Sequence, residues 1–257
     1  MGDAATLPLL LRQLRLPTMA GCCTELIERA FEQGWSVSRT LTTLCEYELA
    51  ERERRRLQRH LKESRLPAGK TLAGFEFDVI TGIDRQQLSA LACETGWVEA
   101  ARNLLLFGPS GVGKSHLAAA IGHALIDQGL RVRYTPASGL VQELQTAKHE
   151  LRLADALAKL DKYRLLIIDD IGYVQRSETE TSVLFELIAH RYEAGSVLIT
   201  SNQPFSAWDR IFPDDMMAVA AIDRLIHHAH IIELGGESYR RRAYIQQRQE
   251  MKTTQNS

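Results

Sequence analysis

Two patterns of hydrophobic and polar residues follow one another along this chain and meet near residue 66. In the first pattern, apolar residues recur at helical spacing, as they do between residues 26 and 31. The segment Leu66-Pro67-Ala68-Gly69 ends this pattern, because proline and glycine interrupt helices. We therefore predict a small all-helical N-terminal domain over residues 1–66 and a second domain over residues 67–257.

In the second pattern, short apolar runs alternate with longer helical stretches. This alternation is typical of an α/β fold in which crossover helices connect parallel strands. Helices cover both faces of such a sheet, so its strands are expected to be continuously apolar, as Leu104-Leu105-Leu106-Phe107 is. The predicted strands of this five-stranded parallel sheet span residues 103–107, 131–135, 165–168, 197–200 and 230–234.

Composition and charge narrow the range of functions. The formal net charge is −1, so any binding of nucleic acid must come from local patches. No apolar run approaches ~18 residues, so we expect no membrane span. The four cysteines form no C-x-x-C pair and have no histidine cluster beside them. We interpret them as reduced, mostly buried thiols of a cytoplasmic protein: Cys22, Cys23, Cys45 and Cys93.

The densest local charge lies at the end of the helical domain. Ser36 or Ser38 can cap a long last helix, which continues into residues 52–65. Seven basic and two acidic residues give residues 52–65 a net charge of +5. Such a patch is suited to DNA phosphates. It is equally typical of an exposed helix that contacts another subunit, and the sequence leaves both interpretations open.

A phosphate-binding motif follows the first predicted strand of the sheet. Residues 108–115 read G-P-S-G-V-G-K-S between an apolar strand and a helical stretch. A glycine-rich turn lets backbone N–H groups converge on an anion, and the next helix directs its positive end toward it. We predict that Lys114 reaches the β- and γ-phosphates of ATP and that Ser115 binds Mg²⁺. The predicted nucleotide-binding residues are Gly108, Pro109, Ser110, Gly111, Val112, Gly113, Lys114, Ser115 and His116.

Two carboxylates follow the predicted strand at residues 165–168. Mg²⁺ prefers oxygen ligands and takes few of them from protein, so we predict that Asp169 holds Mg²⁺ directly or through water. Asp170 is then predicted to polarise the attacking water. Lys114 and Asp169 are 55 residues apart, which leaves room along the chain for one more strand between the two motif strands. This insertion is typical of the ASCE branch of P-loop proteins, which includes AAA+ and RecA-like ATPases.

Asn202 and Arg224 are candidate catalytic residues, and each also has a purely structural interpretation. Asn202 follows the predicted strand at 197–200 and can hydrogen-bond the attacking water or the γ-phosphate. It can also be a turn residue before Gln203-Pro204. Arg224 follows Asp223 on a predicted helix, and the pair by itself is more typical of a surface ion pair.

Six segments of the chain, taken together, resemble one family over essentially the whole length. They read F-G-P-S-G-V-G-K-S-H-L-A, L-L-I-I-D-D-I-G-Y, L-F-E-L-I-A-H-R-Y-E, I-T-S-N-Q-P-F-S-A-W, I-D-R-L-I-H-H-A-H and G-E-S-Y-R. The set is similar to IstB, the AAA+ helper ATPase encoded next to the transposase in one class of bacterial insertion sequences. Helicase loaders of the DnaC and DnaI type resemble the chain in the same main motifs.

The resemblance implies a five-stranded AAA+ core, preceded by a helical domain for contacts. It implies an ATPase that assembles as a homo-oligomer on double-stranded DNA and stimulates its cognate transposase. In this family pattern Asn202 is the sensor 1 residue, and Arg224 is a finger that reaches the γ-phosphate of a neighbouring subunit. A replicative helicase loader is the alternative function. A GTPase is excluded by the lack of an N-K-x-D motif, and a small-molecule kinase by the lack of a lid with substrate-binding arginines.

Two features depart from the family pattern. Many members carry Asp-Glu where this chain has Asp169-Asp170, and the shorter Asp170 is expected to hold the water less well and to slow hydrolysis. Too few residues follow Leu234 for a full helical lid. Residues 240–242 are therefore expected to form a basic tail rather than to supply a lid arginine.

The resemblance also points to surfaces whose role the sequence leaves open. DNA contacts are expected between the second strand and the acid pair, in the stretch that holds Lys148, His149 and Arg152. An ordinary solvated helix face is equally consistent with these three residues. Phe75 and Phe77 belong to a segment expected near the adenine, but a core position suits them as well.

Overall fold

Contacts in the computed structural model divide the chain into two compact units, Met1–Arg59 and His60–Ser257. The residues that the structure describes are 2–77, 80–173, 178–203, 215–239, 241, 242 and 244. The division falls inside a helix that ends at Ser64. The predicted domain boundary after residue 66 therefore stays a prediction.

The first unit is helical, as predicted. Helix α1 spans Gly2–Gln13, α2 spans Pro17–Glu32, and α3 spans Val37–Ser64. The Ser36 hydroxyl accepts the Arg39 N–H at 3.2 Å, which confirms Ser36 as the cap of α3. A small apolar core holds the unit together, with Leu11, Met19, Ala20, Cys23, Leu26 and Leu44 buried in it.

A carboxylate from α3 caps the start of α2. Glu48 is 3% exposed, and its Oε2 accepts the N–H groups of Thr18 and Met19 at 2.8 and 3.0 Å. Arg52 donates to the other oxygen at 2.9 Å. Burial alone would raise the pKa of Glu48, but the bonds from Met19, Arg52 and Thr18 together hold it below its usual value. The ionised carboxylate thus satisfies two N–H groups that the first turn of α2 leaves unpaired.

The second unit alternates strands and helices. Its elements in chain order are β1 Ile80–Thr81, α4 Arg85–Cys93, α5 Gly96–Glu99, β2 Asn103–Phe107, α6 Lys114–Asp127, β3 Val132–Pro136, α7 Ala137–His149, α8 Leu153–Leu160, β4 Leu165–Asp169, a 3₁₀ turn Ile171–Tyr173, α9 Glu178–Arg191, β5 Ser196–Ser201, α10 Asp215–Ile226, β6 Ala229–Glu233 and β7 Gly235–Gly236. All five predicted strands are confirmed, within one residue at each end.

Strands β2 to β6 form a parallel sheet in the order β3-β4-β5-β2-β6. The three central strands are buried along their whole length, which explains their continuous apolar runs. Strand β3 lies between the two motif strands along the chain, as predicted. In the sheet, however, β5 separates β2 from β4, and β3 lies on the outer side of β4. A separate antiparallel pair, β1 with β7, was not predicted.

A buried arginine joins α9 to the start of the sheet. Arg191 is 3% exposed, and burial lowers the pKa of its guanidinium to about 10. The side chain donates to carbonyl oxygens of the segment before β4 and of the first residue of β5, which are those of Leu160, Tyr163, Arg164 and Ser196. Its role is structural, because every one of these acceptors is a backbone oxygen.

The cysteines differ in part from the expectation. All four are free thiols, as expected, but Cys45 and Cys93 are exposed, so the prediction of mostly buried thiols was wrong. Cys45 lies on the solvent side of α3 and Cys93 is the last residue of α4. Within the described residues, no helix combines the length and the apolar content needed to cross a bilayer.

Candidate nucleotide-binding site

A glycine-rich turn connects β2 to α6. Gly108, Gly111 and Gly113 have φ angles of +142°, +89° and +99°, which residues with a Cβ rarely adopt. A Cβ on Gly108 would lie 2.1 Å from the Leu234 carbonyl oxygen, and one on Gly111 would lie 2.2 Å from Ser238 Oγ. Glycine is therefore required here both by the backbone conformation and by the close approach of another segment.

Helix α6 begins at Lys114, directly after the turn, so its N-terminus faces the space that the turn surrounds. The Lys114 side chain is 5% exposed, and its Nζ donates to the carbonyl oxygens of Gly108 at 2.7 Å and Pro109 at 2.9 Å. These bonds hold the ammonium group against the turn. A cavity of about 360 Å³ lies in front of it, lined by Lys114, Ser115, His116 and Asp170 among others.

The cavity wall includes an aromatic residue from the segment before β1. Phe75 is 7% exposed and lines the cavity. Its ring would lie 3.0 Å from a Cβ on Gly113, and it meets the His116 ring edge-on at 5.4 Å. Phe75 is thus both buried and part of the site. The Phe77 ring instead lies under the Arg85 guanidinium, at 4.7 Å.

The segment after β6 returns to the glycine-rich turn. The Tyr239 N–H donates to the Gly111 carbonyl oxygen at 3.0 Å, and both Glu237 and Tyr239 line the cavity. Arg242 forms an ion pair with Glu76, so the expectation of a basic tail was wrong for this residue. Arg240 lies outside the described residues. The motif G-E-S-Y-R drew attention to this segment in the sequence. The sequence did not show, however, that the segment contacts the glycine-rich turn.

Asp169, the last residue of β4, is held by two hydroxyl groups. Thr200 donates to Oδ1 at 2.6 Å and Tyr134 donates to Oδ2 at 2.5 Å, and Asp169 itself is 9% exposed. Burial, together with the bond to Asp169, raises the pKa of Tyr134, so its hydroxyl stays protonated and remains a donor. A carboxylate has about four lone-pair sites, so both oxygens can still accept from water or bind a metal ion. Sequence reasoning missed both donors, although polar residues within apolar strands were the signal for them.

Asp170 turns away from the strand and faces the cavity. Its φ angle is +60°, a left-handed conformation that aspartate tolerates better than most residues. Its N–H donates to Thr200 Oγ1 at 2.9 Å, and its side chain belongs to the cavity lining. The structure therefore gives the two acids different surroundings, as their different predicted roles require.

Asn202 follows β5, the strand that lies between β2 and β4. Because the strands are parallel, Asn202 lies at the same edge of the sheet as the glycine-rich turn and the acid pair. Its Oδ1 is buried, and no donor among the described residues bonds to it. A Cβ on Gly172 would lie 2.3 Å from this oxygen, so Asn202 packs closely against the turn after Asp170. Its contact with water or phosphate stays a prediction.

Arg224 lies at the opposite edge of the sheet, where the amino ends of the parallel strands are. It occupies the last turn of α10, where the next carbonyl, that of Leu225, accepts a bond of 3.0 Å from Asn103 at the start of β2. Strand β2 has five residues, so its start lies about 13 Å from the glycine-rich turn. The guanidinium donates to the Ala220 carbonyl and lies 5.4 Å from the Phe185 ring. In the described part of the chain it forms no ion pair, which leaves the surface-pair interpretation unsupported.

Acidic neighbours neutralise many of the candidate DNA-binding cations. Lys148 pairs with Glu186 at 2.8 Å, and Arg152 pairs with Glu150. In α3, acids just outside or within the basic stretch pair with four of its arginines: Arg52, Arg54, Arg55 and Arg56. Over its whole length, Val37–Ser64, α3 has seven basic and five acidic residues, a net charge of +2. Within residues 52–65, the three cations with no acidic partner among the described residues are Arg59, Lys62 and Arg65.

Comparison with known proteins identifies the family. The model of the family described as IstB-like ATP binding protein matches residues 9–247. The chain belongs to this family. A relative from Sinorhizobium fredii, named "putative insertion sequence ATP-binding protein", is 52% identical over 244 residues, which cover 95% of this chain and 82% of the relative. The "insertion sequence IS21 putative ATP-binding protein" of Pseudomonas aeruginosa is 38% identical over 234 residues, covering 91% and 88%.

Solved structures that resemble this IstB-like protein establish its fold. The crystal structure of DnaI matches with a TM-score of 0.54 at 21% identity and covers 66% of this chain and 95% of that one. DnaA from Aquifex aeolicus bound to AMPPCP matches with a TM-score of 0.52 at 18% identity and covers 66% and 51%. The IstB-like chain therefore has the predicted α/β fold of an AAA+ P-loop protein, with a helical region before it.

Proposed function

We propose that this IstB-like protein is a cytoplasmic ATPase that assembles as a homo-oligomer on duplex DNA and assists the transposase of its insertion sequence. The observation that carries the proposal is the cavity at the carboxyl edge of the sheet. It brings the glycine-rich turn, Lys114, Ser115 and Asp170 to one place, although Asp170 is far from the others in the sequence. These are the groups that binding and hydrolysis of a nucleoside triphosphate require.

The donor set of this cavity fits ATP with Mg²⁺. Lys114 supplies a cation for the β- and γ-phosphates, and the N-terminus of α6 adds N–H donors. Ser115 and Asp169 are the residues that would hold Mg²⁺, which when bound supplies positive charge to the phosphates. Asp170, which faces the cavity, would orient and polarise the attacking water.

The position of Arg224 supports a site shared between subunits. At the amino edge of the sheet it is too far from its own glycine-rich turn to contact a phosphate bound there. It can act on ATP only in a neighbouring subunit whose carboxyl edge meets this face. ATP would then promote assembly, because a phosphate in the site gives the arginine of the neighbour its partner.

Binding to DNA is proposed to follow from this assembly. A net charge of −1 gives a single subunit little general attraction for DNA, whereas aligned subunits repeat their unpaired cations along the duplex. We expect ATP-dependent binding that is largely independent of sequence and weakens steeply as salt is raised. Tight binding by the monomer in the absence of nucleotide would contradict this part of the proposal.

The names of the relatives favour a role in transposition over helicase loading. Both curated relatives named above are assigned to insertion sequences, whereas the helicase loaders resemble the chain at 21% identity or less and support only the fold. The test is a strand-transfer assay with the transposase of the proposed insertion sequence. We expect more joined product when the wild-type protein, ATP and target DNA are added together.

Two variants make the assay specific. Lys114→Ala removes the cation at the cavity and should abolish the stimulation, whereas Asp127→Ala removes an exposed carboxylate at the end of α6 and should leave it intact. Unchanged strand transfer with the wild-type protein, combined with loading of a replicative helicase onto single-stranded DNA, would establish the helicase-loader alternative instead.

A further inference from the structure

The turns that follow α9 and α10 bring a glutamate and two histidines together, away from the nucleotide cavity. Potential ligand atoms of Glu193, His227 and His228 all lie within 4.8 Å of one another. The three side chains are exposed, so rotations about their side-chain bonds can reduce this spacing. Ligands about 2.1 Å from a tetrahedral ion are about 3.4 Å apart, which such rotations can reach.

Tyr192 orients the first imidazole of this group. Its hydroxyl lies 2.9 Å from His227 Nδ1, and the rings of His227 and His228 are 4.0 Å apart. An Nδ1–H that donates to the tyrosine oxygen leaves the Nε2 lone pair for a metal ion. Metal-binding histidines in proteins commonly have such a partner on their second nitrogen. Tyr192 is therefore a positioning residue of the group.

We propose that Glu193, His227 and His228 form a binding site for a divalent transition-metal ion such as Zn²⁺. Two imidazoles and one carboxylate are a donor set that zinc, cobalt and nickel accept. Mg²⁺ prefers oxygen ligands and is not expected to compete for it. Water would complete the coordination.

The surroundings of the group set its affinity. Arg102 lines a cavity of about 300 Å³ together with His227, His228 and His230, and its positive charge disfavours a nearby cation. Three protein ligands at an exposed position also bind more weakly than a closed four-ligand structural site. We therefore expect reversible binding of one ion per chain, independent of nucleotide and of the proposed function.

Calorimetric titration of the untagged, nucleotide-free full chain with ZnCl₂ tests the site. We expect one ion per chain for the wild type and at least about tenfold weaker binding for His228→Ala and for Glu193→Gln, a change that keeps the size of the side chain. Tyr192→Phe should weaken binding by about tenfold, because it removes the hydroxyl that orients His227 and also bonds the Glu193 side chain. His149→Ala, which removes an exposed histidine at the end of α7, is the matched control and should bind as the wild type does.

Two results would overturn the proposal. The first is wild-type affinity in both His228→Ala and Glu193→Gln, with metal-free melting temperatures showing that the variants are folded. The second concerns the adjacent thiols Cys22 and Cys23, which can also bind soft metals. A thiolate charge-transfer band in the absorption spectrum of the Co²⁺-loaded protein would assign the ion to cysteine, whereas d–d bands without it support the histidine site.

Discussion

Thr200 and Asp169 share a hydrogen bond of 2.6 Å between neighbouring strands, and the same threonine oxygen accepts the Asp170 N–H at 2.9 Å. One hydroxyl thus fixes both the side chain of the first acid and the backbone of the second. Thr200 is fully buried, so no water can replace its hydroxyl without a rearrangement. The conformation of the acid pair depends on this residue of β5.

We predict that Thr200→Val lowers ATP turnover by about tenfold, because it removes the hydroxyl that holds the Asp169 carboxylate and the Asp170 backbone in place. It should also reduce the free energy of unfolding by about 1–3 kcal/mol, since the Asp170 N–H loses its acceptor. Steady-state turnover and urea unfolding measure the two effects. Thr200→Ser keeps the hydroxyl and serves as the control, and equal losses in both variants would show that packing rather than the hydroxyl matters.

Neutralising Asp169 and neutralising Asp170 are predicted to affect ATP binding and hydrolysis differently. Asp170→Asn should leave ATP binding intact and slow hydrolysis by about 10²- to 10⁴-fold, the range for loss of a general base. Asp169→Asn should instead weaken Mg²⁺-dependent ATP binding. Nucleotide affinity with and without Mg²⁺, measured beside single-turnover hydrolysis, separates the roles. An equal loss of affinity in both variants would disprove this division.

A further pair of variants concerns Arg224. Arg224→Ala should fold and bind ATP but lose about 10³- to 10⁵-fold in turnover, the range for loss of an arginine finger. Lys114→Ala subunits retain the finger and lack the phosphate cation, whereas Arg224→Ala subunits have the reverse defect. Mixing the two should restore part of the activity at interfaces that combine the intact halves. Full activity of Arg224→Ala alone, or inactive mixtures that still co-assemble, would rule out a shared site.

The buried Glu48 makes the N-terminal unit sensitive to acid. The pKa of Glu48 is lower in the folded protein than its usual value of 4.5. Its stabilisation is therefore fully present above pH 4.5 and is lost as the pH falls through the folded-state pKa. Glu48→Gln should cost about 1–3 kcal/mol at neutral pH and remove this dependence on pH.

Hydrogen exchange of α2 peptides in the full chain measures this local stability. Glu25→Gln, which removes an exposed ion pair with Arg29 on α2, is the control and should change little. Equal protection of α2 in the wild type and Glu48→Gln at neutral pH would contradict the capping role.

Local pattern predicted the strands and the glycine-rich turn because each is encoded within a few consecutive residues. The bond between Thr200 and Asp169 could not be predicted in that way, since it requires β4 and β5 to be neighbours in the sheet. The return of Tyr239 to Gly111 likewise depends on where the chain goes after β6. The net charge of +5 over residues 52–65 is correct, but Glu48 and Glu51 lie just before this stretch and form ion pairs with its arginines.

Arg224 and the glycine-rich turn lie at opposite edges of one sheet, and this arrangement has a consequence for the rate of ATP turnover. The proposed contact between subunits joins these two edges and is head-to-tail, so each subunit would present two unlike surfaces and the assembly would have no internal two-fold symmetry. In an open row of subunits, one terminal subunit always has a glycine-rich turn that no neighbouring Arg224 reaches. Turnover per subunit should therefore rise with the length of the row and approach a plateau, whereas closure into a ring would leave no idle site.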